Sequence, residues 1–377
     1  MRATVAPRRY AGAVSTLERL DVHALRDVIT TFRDTVREHA GGLNRLNVYP
    51  VPDGDTGTNM ARTLDAVVAE MDGVDDGDLV AVCDAISHGS LMGARGNSGV
   101  ILSQILRGFA STLKEQAEGT GHKVADALSA ASTGAYQAVL KPVEGTILTV
   151  ARESAEAAKQ ASAEGASLVE VLRAARAAGR AALARTPELL PVLKEAGVVD
   201  AGGAGYLLML DAAVHVVGGE PLPEPDDGEA GPSLDQLEAI AHRASGVDGE
   251  LDVSEQRYEV MYFVELADER IETFKQAWGE IGDSIVVVGG DGVWNCHVHT
   301  NDIGAAIEVA LDLDGRPSKI RVTDLFEEVD AEHAAREAGM AVGHLHATEP
   351  GGGLEPLTTA VVAVCSGDGI AELFSNL

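Results

Sequence analysis

Basic side chains are scarce in this 377-residue chain: 29 lysines and arginines stand against 59 aspartates and glutamates, a formal net charge of -30. A nucleic-acid binder needs a basic footprint for the phosphate backbone, and docking on anionic lipid needs the same, so the balance argues against both. Aromatic residues make up only 4% of the chain, and there are three cysteines, Cys83, Cys296 and Cys365. Thiols so few and scattered do not make a disulfide framework. The first ten residues, MRATVAPRRY, are basic, but no apolar signal-peptide stretch follows them. The longest apolar run, 204–217, is interrupted by Asp211 and His215 and falls short of the ~20 residues that a membrane span takes. A soluble, reduced, cytoplasmic protein without a membrane span is expected.

Apolar residues are 45% of the sequence, enough to bury substantial cores. The length suits two domains or three. The acidity is uneven: residues 1–219 carry 21 basic and 26 acidic side chains, a net of -5, and residues 220–377 carry 8 and 33, a net of -25.

Up to about residue 217 the apolar spacing is helical, as in Leu17, Leu20, Leu25, Val28, Ile29, Phe32 and Val36. Similar stretches recur near 59–71, 78–88, 98–114, 121–139, 146–163, 167–185 and 201–216, so 1–217 is expected to be an all-α domain of eight helices. Residues 218–232, with four prolines and five acids, read as a linker, and a short helical segment is expected between there and 250. Over 251–340 the pattern becomes strand (258–266), helix (269–280), strand (284–288), a Gly-Gly-Asp-Gly turn, strand (293–300), helix capped by Asp302 (303–313) and strand (319–324). That βαββαβ order is that of a ferredoxin-like α+β domain. Residues 341–356 read as a second linker. The strand at 360–365 and helix start at Ile370 read as the truncated start of a third domain.

Four segments carry chemistry. The strongest is NVYPVPDGDTGTNM, 47–60, where Asp53 and Asp55 flank a glycine in a turn that opens a helix. Hard oxygen donors at that spacing suit Mg²⁺ or Ca²⁺, although an EF-hand fits badly: position six is Thr58 and position twelve is Leu64. On spacing alone an Asp-Gly turn with a helix cap fits equally well. In GARGNSGVILSQILRGF, 93–109, a glycine-rich loop leads into a helix and can present backbone N–H groups to an anion, but it lacks a Walker lysine. KPVEGTILTV, 141–150, and AGVVDAGGAGYLLML, 196–210, are further glycine turns that open helices.

In this order and spacing the four strings resemble the nucleotide-binding domain of the dihydroxyacetone kinase L-subunit type. They are most similar to the ATP-binding subunit of bacterial fatty acid kinase, and weaker similarity continues through the βαββαβ region. The resemblance implies an eight-helix barrel binding Mg²⁺ and ATP at one end. Asp53 and Asp55 would hold the metal, with Thr58 as a hydroxyl ligand and Asn59 assisting. Asn97, Ser98 and Gly99 would cradle phosphate, and Gly145 and Thr146 would border the adenine. The dihydroxyacetone kinase pattern has a further metal aspartate where this chain has Val48, which favours the fatty acid kinase branch.

His297 and His299, two apart on one strand, point to one face, which is a metal hint or simply a polar sheet face. The resemblance implies a zinc site of one cysteine and such a His-x-His pair. The position matching that cysteine is Glu259, itself a possible zinc ligand type. Cys296 points to the opposite face.

The function implied is an ATP-dependent kinase that phosphorylates the carboxylate of a fatty acid presented by a separate fatty-acid-binding protein, giving acyl phosphate, and a homodimer is implied with it. The alternatives are a non-catalytic nucleotide-binding adaptor and the ATP-binding component of a dihydroxyacetone kinase.

Overall fold

The 3.6-residue apolar period of the first stretch becomes helix α1, Val22–Arg45, whose Leu25, Val28, Ile29, Phe32 and Val36 are all buried. The computed structural model describes residues 16–114, 119–225, 256–329 and 334. The helical segment expected before residue 250 and all expectations for 341–377 lie outside the described residues.

Seven further long helices follow: α2 Thr56–Met71, α3 Leu79–Gly93, α4 Gly96–Lys114, α5 Gly121–Ala138, α6 Ile147–Ala163, α7 Leu168–Leu189 and α9 Ala201–Gly218. A six-residue helix, α8 Pro191–Ala196, precedes α9 and adds to the expected set; it is too short to show a period, though Pro191 at its start and the left-handed Gly197 at its end mark it. Each long helix packs on the next, and α9 returns to α1, closing the ring as a barrel of eight long helices. Scarce aromatics and abundant small residues let the helices approach closely. A Cβ at Gly108 would come within 2.8 Å of the Ala130 and Ala131 backbone, so glycine permits the α4–α5 contact.

By length and composition α9 is apolar enough to cross a membrane, yet it is largely buried inside the barrel, with Tyr206 through Val214 buried without a break. Its one acid, Asp211, accepts hydrogen bonds from Arg180 at 2.7 Å and Arg176 at 3.4 Å.

The second domain has strands β1 Tyr258–Glu265, β2 Gly282–Gly290, β3 Val293–Thr300 and β4 Arg316–Asp324, with helices α10 Ile271–Ile281 and α11 Ile303–Asp312. The sheet order is β2-β3-β1-β4 with every neighbour antiparallel, the arrangement of a ferredoxin-like βαββαβ sandwich. Asp302 caps α11 by accepting from Ala305 N at 2.9 Å, as expected. The period of two divides the sheet. Val260, Tyr262, Val287, Cys296 and Val298 face the two helices around Phe274 and Trp278. Met261, Val286 and Val288 face the other way and pack against Ala94, Val100 and Ala138 of the helical domain. Asn295 donates to Leu91 O at 3.0 Å and Leu140 N donates to Ile285 O at 3.1 Å across the same seam. The sheet therefore covers one end of the barrel.

Candidate functional site

Beneath that cover lies a cavity of about 600 Å³, walled by the 47–56 turn, the starts of α4, α6 and α9, and the sheet residues Glu259, Ser284 and His299. Asp53 and Asp55 enter it from either side of Gly54, which takes the left-handed conformation (φ 67°) that lets the two carboxylates flank one turn. Asn47 fixes the turn: its amide donates to Asp53 Oδ1 at 2.5 Å and to Val51 O at 3.0 Å, and its carbonyl accepts from the Thr56 hydroxyl. Asn59 donates to Asp55 Oδ2 at 2.5 Å.

The site is crowded with acid. One carboxylate oxygen each from Asp53, Asp55 and Glu328 lie within 4.8 Å of one another, and one ligand atom each from Glu259, His297 and His299 form a second such group. Burial, then the neighbouring Asp55, Glu259 and Glu328, push the Asp53 carboxyl well above its usual range. Glu259 is pushed up to about 8, first by burial and then by Asp55 and Glu328. Half-buried carboxylates that cannot all stay charged together form a site suited to a cation.

Opposite the acids is the start of α4. Gly96, Asn97 and Ser98 line the cavity and precede the first helical bond, which Gly99 N makes to Arg95 O at 2.9 Å. Their N–H groups are those a helix leaves unpaired, at its positive end. Asn97 Oδ1 is buried without a hydrogen-bond partner. The starts of α2, α6 and α9 also reach the cavity but carry their own caps, Asn44, Thr146 and Asp200.

The structure brings Asp53, Asp55, Asn97, Ser98, Thr146, Glu259 and His299 to this one cavity, and His297 stands behind His299 with ring centroids 4.9 Å apart. It does not bring Thr58 there. Successive helical residues turn by about 100°, so Thr58 faces away from Thr56 and accepts from Asn44 Nδ2 at 3.0 Å; the hydroxyl at the cavity wall is that of Thr56. Asn59 does not line the cavity but hydrogen-bonds to Asp55, which does. Gly99 packs α4 on the Thr63 side chain of α2, and Gly145 (φ 85°) packs against Leu189 and Leu190. Both are spacers behind the wall. Asn47 and Thr56 belong to the 47–60 string, but spacing alone gives them no role, and Glu328 has no local signal.

A Mg²⁺-type cation fits the three carboxylates by donor chemistry. The Glu259, His297 and His299 set fits a borderline metal, because His297 is fully buried with neither ring nitrogen hydrogen-bonded and His299 Nδ1 also lacks a hydrogen bond.

Two family models match the chain: the DAK2 domain over residues 50–215 and the FakA-like (fatty acid kinase) middle domain over residues 255–332. The chain thus joins a helical domain of the dihydroxyacetone kinase L-subunit kind to a small α+β domain, and both are kinase-related. Protein YloV of Bacillus subtilis (strain 168) is 34% identical over 369 residues, covering 96% of this chain and 64% of the relative. An uncharacterized protein of Staphylococcus saprophyticus is 32% identical over 375 residues, with the same coverage. The chain therefore spans about 64% of the length of these relatives. The dihydroxyacetone kinase of C. freundii, solved with AMP-PNP and Mg²⁺, gives a TM-score of 0.38 at 17% identity over 57% of this chain and 37% of that one.

Proposed function

We propose that the chain is the ATP-dependent kinase component of a fatty acid kinase, acting on a fatty acid held by a separate fatty-acid-binding protein. The observation that carries this reading is the cavity itself, with the open start of α4 on one side and the Asp53/Asp55 carboxylates on the other. A polyphosphate bound between them meets N–H donors directly and acids through a divalent cation. In this reading Asp53 and Asp55 hold Mg²⁺, Asn47 and Asn59 orient them, Asn97 and Ser98 bind phosphate, and Thr146 borders the nucleotide. When bound, Mg²⁺ neutralises phosphate charge. The carboxylate oxygen of the fatty acid bonds to the γ-phosphorus, the bond to the β-phosphate bridging oxygen breaks, and the products are acyl phosphate and ADP. Glu259, His297 and His299 hold a structural zinc ion.

The test is ADP release by the full chain with a purified fatty-acid-binding protein and acid, with acyl phosphate trapped by hydroxylamine. Hydroxamate that forms only when ATP, acid and both proteins are present supports the reading. The DAK2 match favours a second reading, the ATP-binding component of a dihydroxyacetone kinase. Consumption of dihydroxyacetone but not of fatty acid in the same assay would select it.

A further inference from the structure

Glu328 belongs to no motif, yet its carboxylate lies with those of Asp53 and Asp55, one oxygen from each within 4.8 Å of the others. It is carried on a helical turn, 325–329, directly after β4. That turn is a built feature. Asp324 Oδ1 accepts from Phe326 N at 3.2 Å and Glu327 N at 3.4 Å, Asp324 Oδ2 accepts from Arg257 Nε at 2.8 Å, and Leu325 is buried with its N–H donating to Arg257 O at 2.8 Å.

Among the described residues, the one nitrogen within ion-pair distance of Asp53, Asp55, Glu259 or Glu328 is Nδ1 of His297, 3.5 Å from Glu259, and burial keeps that imidazole neutral. Among the described residues Arg62 acts on Asp55 only at a distance, and no lysine or arginine makes a close ion pair with the three-carboxylate group. A second observation points the same way. Across the cavity that Asp53 and Asp55 enter, Asn97 Oδ1 is buried without a hydrogen-bond partner. A buried acceptor left open in the wall of an acid-lined cavity marks a place where a cation and its waters belong.

We propose that Glu328 is a third carboxylate ligand of the divalent cation held by Asp53 and Asp55, so that the second domain completes the metal site of the first. The proposal rests on the reading that this cavity takes Mg²⁺ with ATP. It makes the sheet more than a cover, because a cation bound here ties the end of β4 to the 47–56 turn.

Titration of the full chain with Mn²⁺, followed by loss of the free-ion EPR signal, tests it without reference to activity. Asp53→Asn is expected to abolish tight binding. Glu328→Gln is expected to weaken it by about tenfold or more, the scale on which even outer-shell changes act at metal sites. Glu327→Gln, one residue away with the same change of charge, is expected to bind as wild type. Should Glu328→Gln melt out, Glu328→Asp keeps the charge but withdraws the oxygen by one methylene, and it is expected to bind between the two. If Asp53→Asn loses Mn²⁺ while both Glu328 variants bind as tightly as wild type, the proposal fails and the kinase reading stands. If wild type binds no Mn²⁺, with or without ATP, that reading fails and takes the proposal with it.

Discussion

Glu259 Oε2 lies 3.5 Å from His297 Nδ1, reaching diagonally across two strands, while in register Glu259 stands directly opposite His299. The three side chains converge because an antiparallel pair brings cross-strand neighbours on one face together. Burial, with His299 beside it, lowers His297 well below its usual range, and burial lowers His299 to about 4. Both imidazoles are thus neutral at pH 7, the form that ligates metal. The purified chain is expected to carry zinc near one equivalent, and His297→Ala and His299→Ala to lose it. Glu259→Cys is expected to hold zinc against a chelator more strongly, because thiolate is the softer donor. Elemental analysis reads the outcome, and unchanged zinc in His297→Ala would remove the site.

The two threonines of the 53–60 turn separate position from motif. Thr56 reaches the cavity wall and donates to Asn47, the residue that also holds Asp53. Thr58 faces Asn44. Thr56→Val is therefore expected to lower kcat at least tenfold, through a loosened Asp53. Thr58→Ala is expected to keep kcat within about twofold and to cost roughly 1 kcal/mol of stability, the net worth of one hydrogen bond. Kinetics and urea melts of the two variants check this, and equal kinetic losses would restore Thr58 as a ligand.

Asp200 is pushed up to about 6 by burial, against the opposing hydrogen bonds from Gly203 and Ile147 N–H. Its folded value exceeds its unfolded value of about 3.9, so the folded chain holds the extra proton between the two. Stability from this group therefore falls as pH rises from about 4 to about 6, and the deficit persists above that. Asp200→Asn keeps the cap on α9 and removes the ionisation. It is expected to stabilise the helical domain by about 3 kcal/mol at pH 8 and by about 1 kcal/mol at pH 4.5. Melting curves at the two pH values are the measurement, and a pH-independent difference would contradict the assignment.

Much of this architecture is legible in the sequence because the relevant information is local. The spacing of Leu25, Val28, Ile29 and Phe32 marks a helix, and the alternation of Cys296 with His297 and Val298 with His299 places the imidazoles on the face away from the sheet's own core. The docking of the two domains leaves a subtler local trace. Residues 285–288, Ile-Val-Val-Val, are apolar without alternation, the mark of a strand buried on both faces. In the structure Ile285 and Val287 face one core and Val286 and Val288 the other. Motif membership points to Thr58, but the helical turn angle sets its hydroxyl on the side away from the cavity. Glu328 has no counterpart in any sequence pattern, since only tertiary packing brings the end of β4 to Asp53.

The buried charge on α9 makes the last prediction. Asp211 is 5% exposed in the most apolar helix of the barrel, and Arg180 and Arg176 of α7 reach it from the same side. Arg176 in turn pairs with Glu220 just past the end of α9, and Arg173 adds a bond to the same carboxylate at 2.6 Å. The network therefore ties α7 to both the middle and the end of α9. Asp211→Ala leaves the arginines facing an apolar helix. Breaking one side of a buried pair costs about 3 kcal/mol, discounted here because Arg180 is half-exposed, so a loss of roughly 2 kcal/mol in urea denaturation is expected. Asp211→Asn, which keeps one acceptor, is expected to lose about half of that. Neither change touches the cavity, so ATP turnover per folded molecule is expected to hold at wild-type level. A fall in turnover without a fall in stability would show instead that the α7–α9 network shapes the nucleotide site.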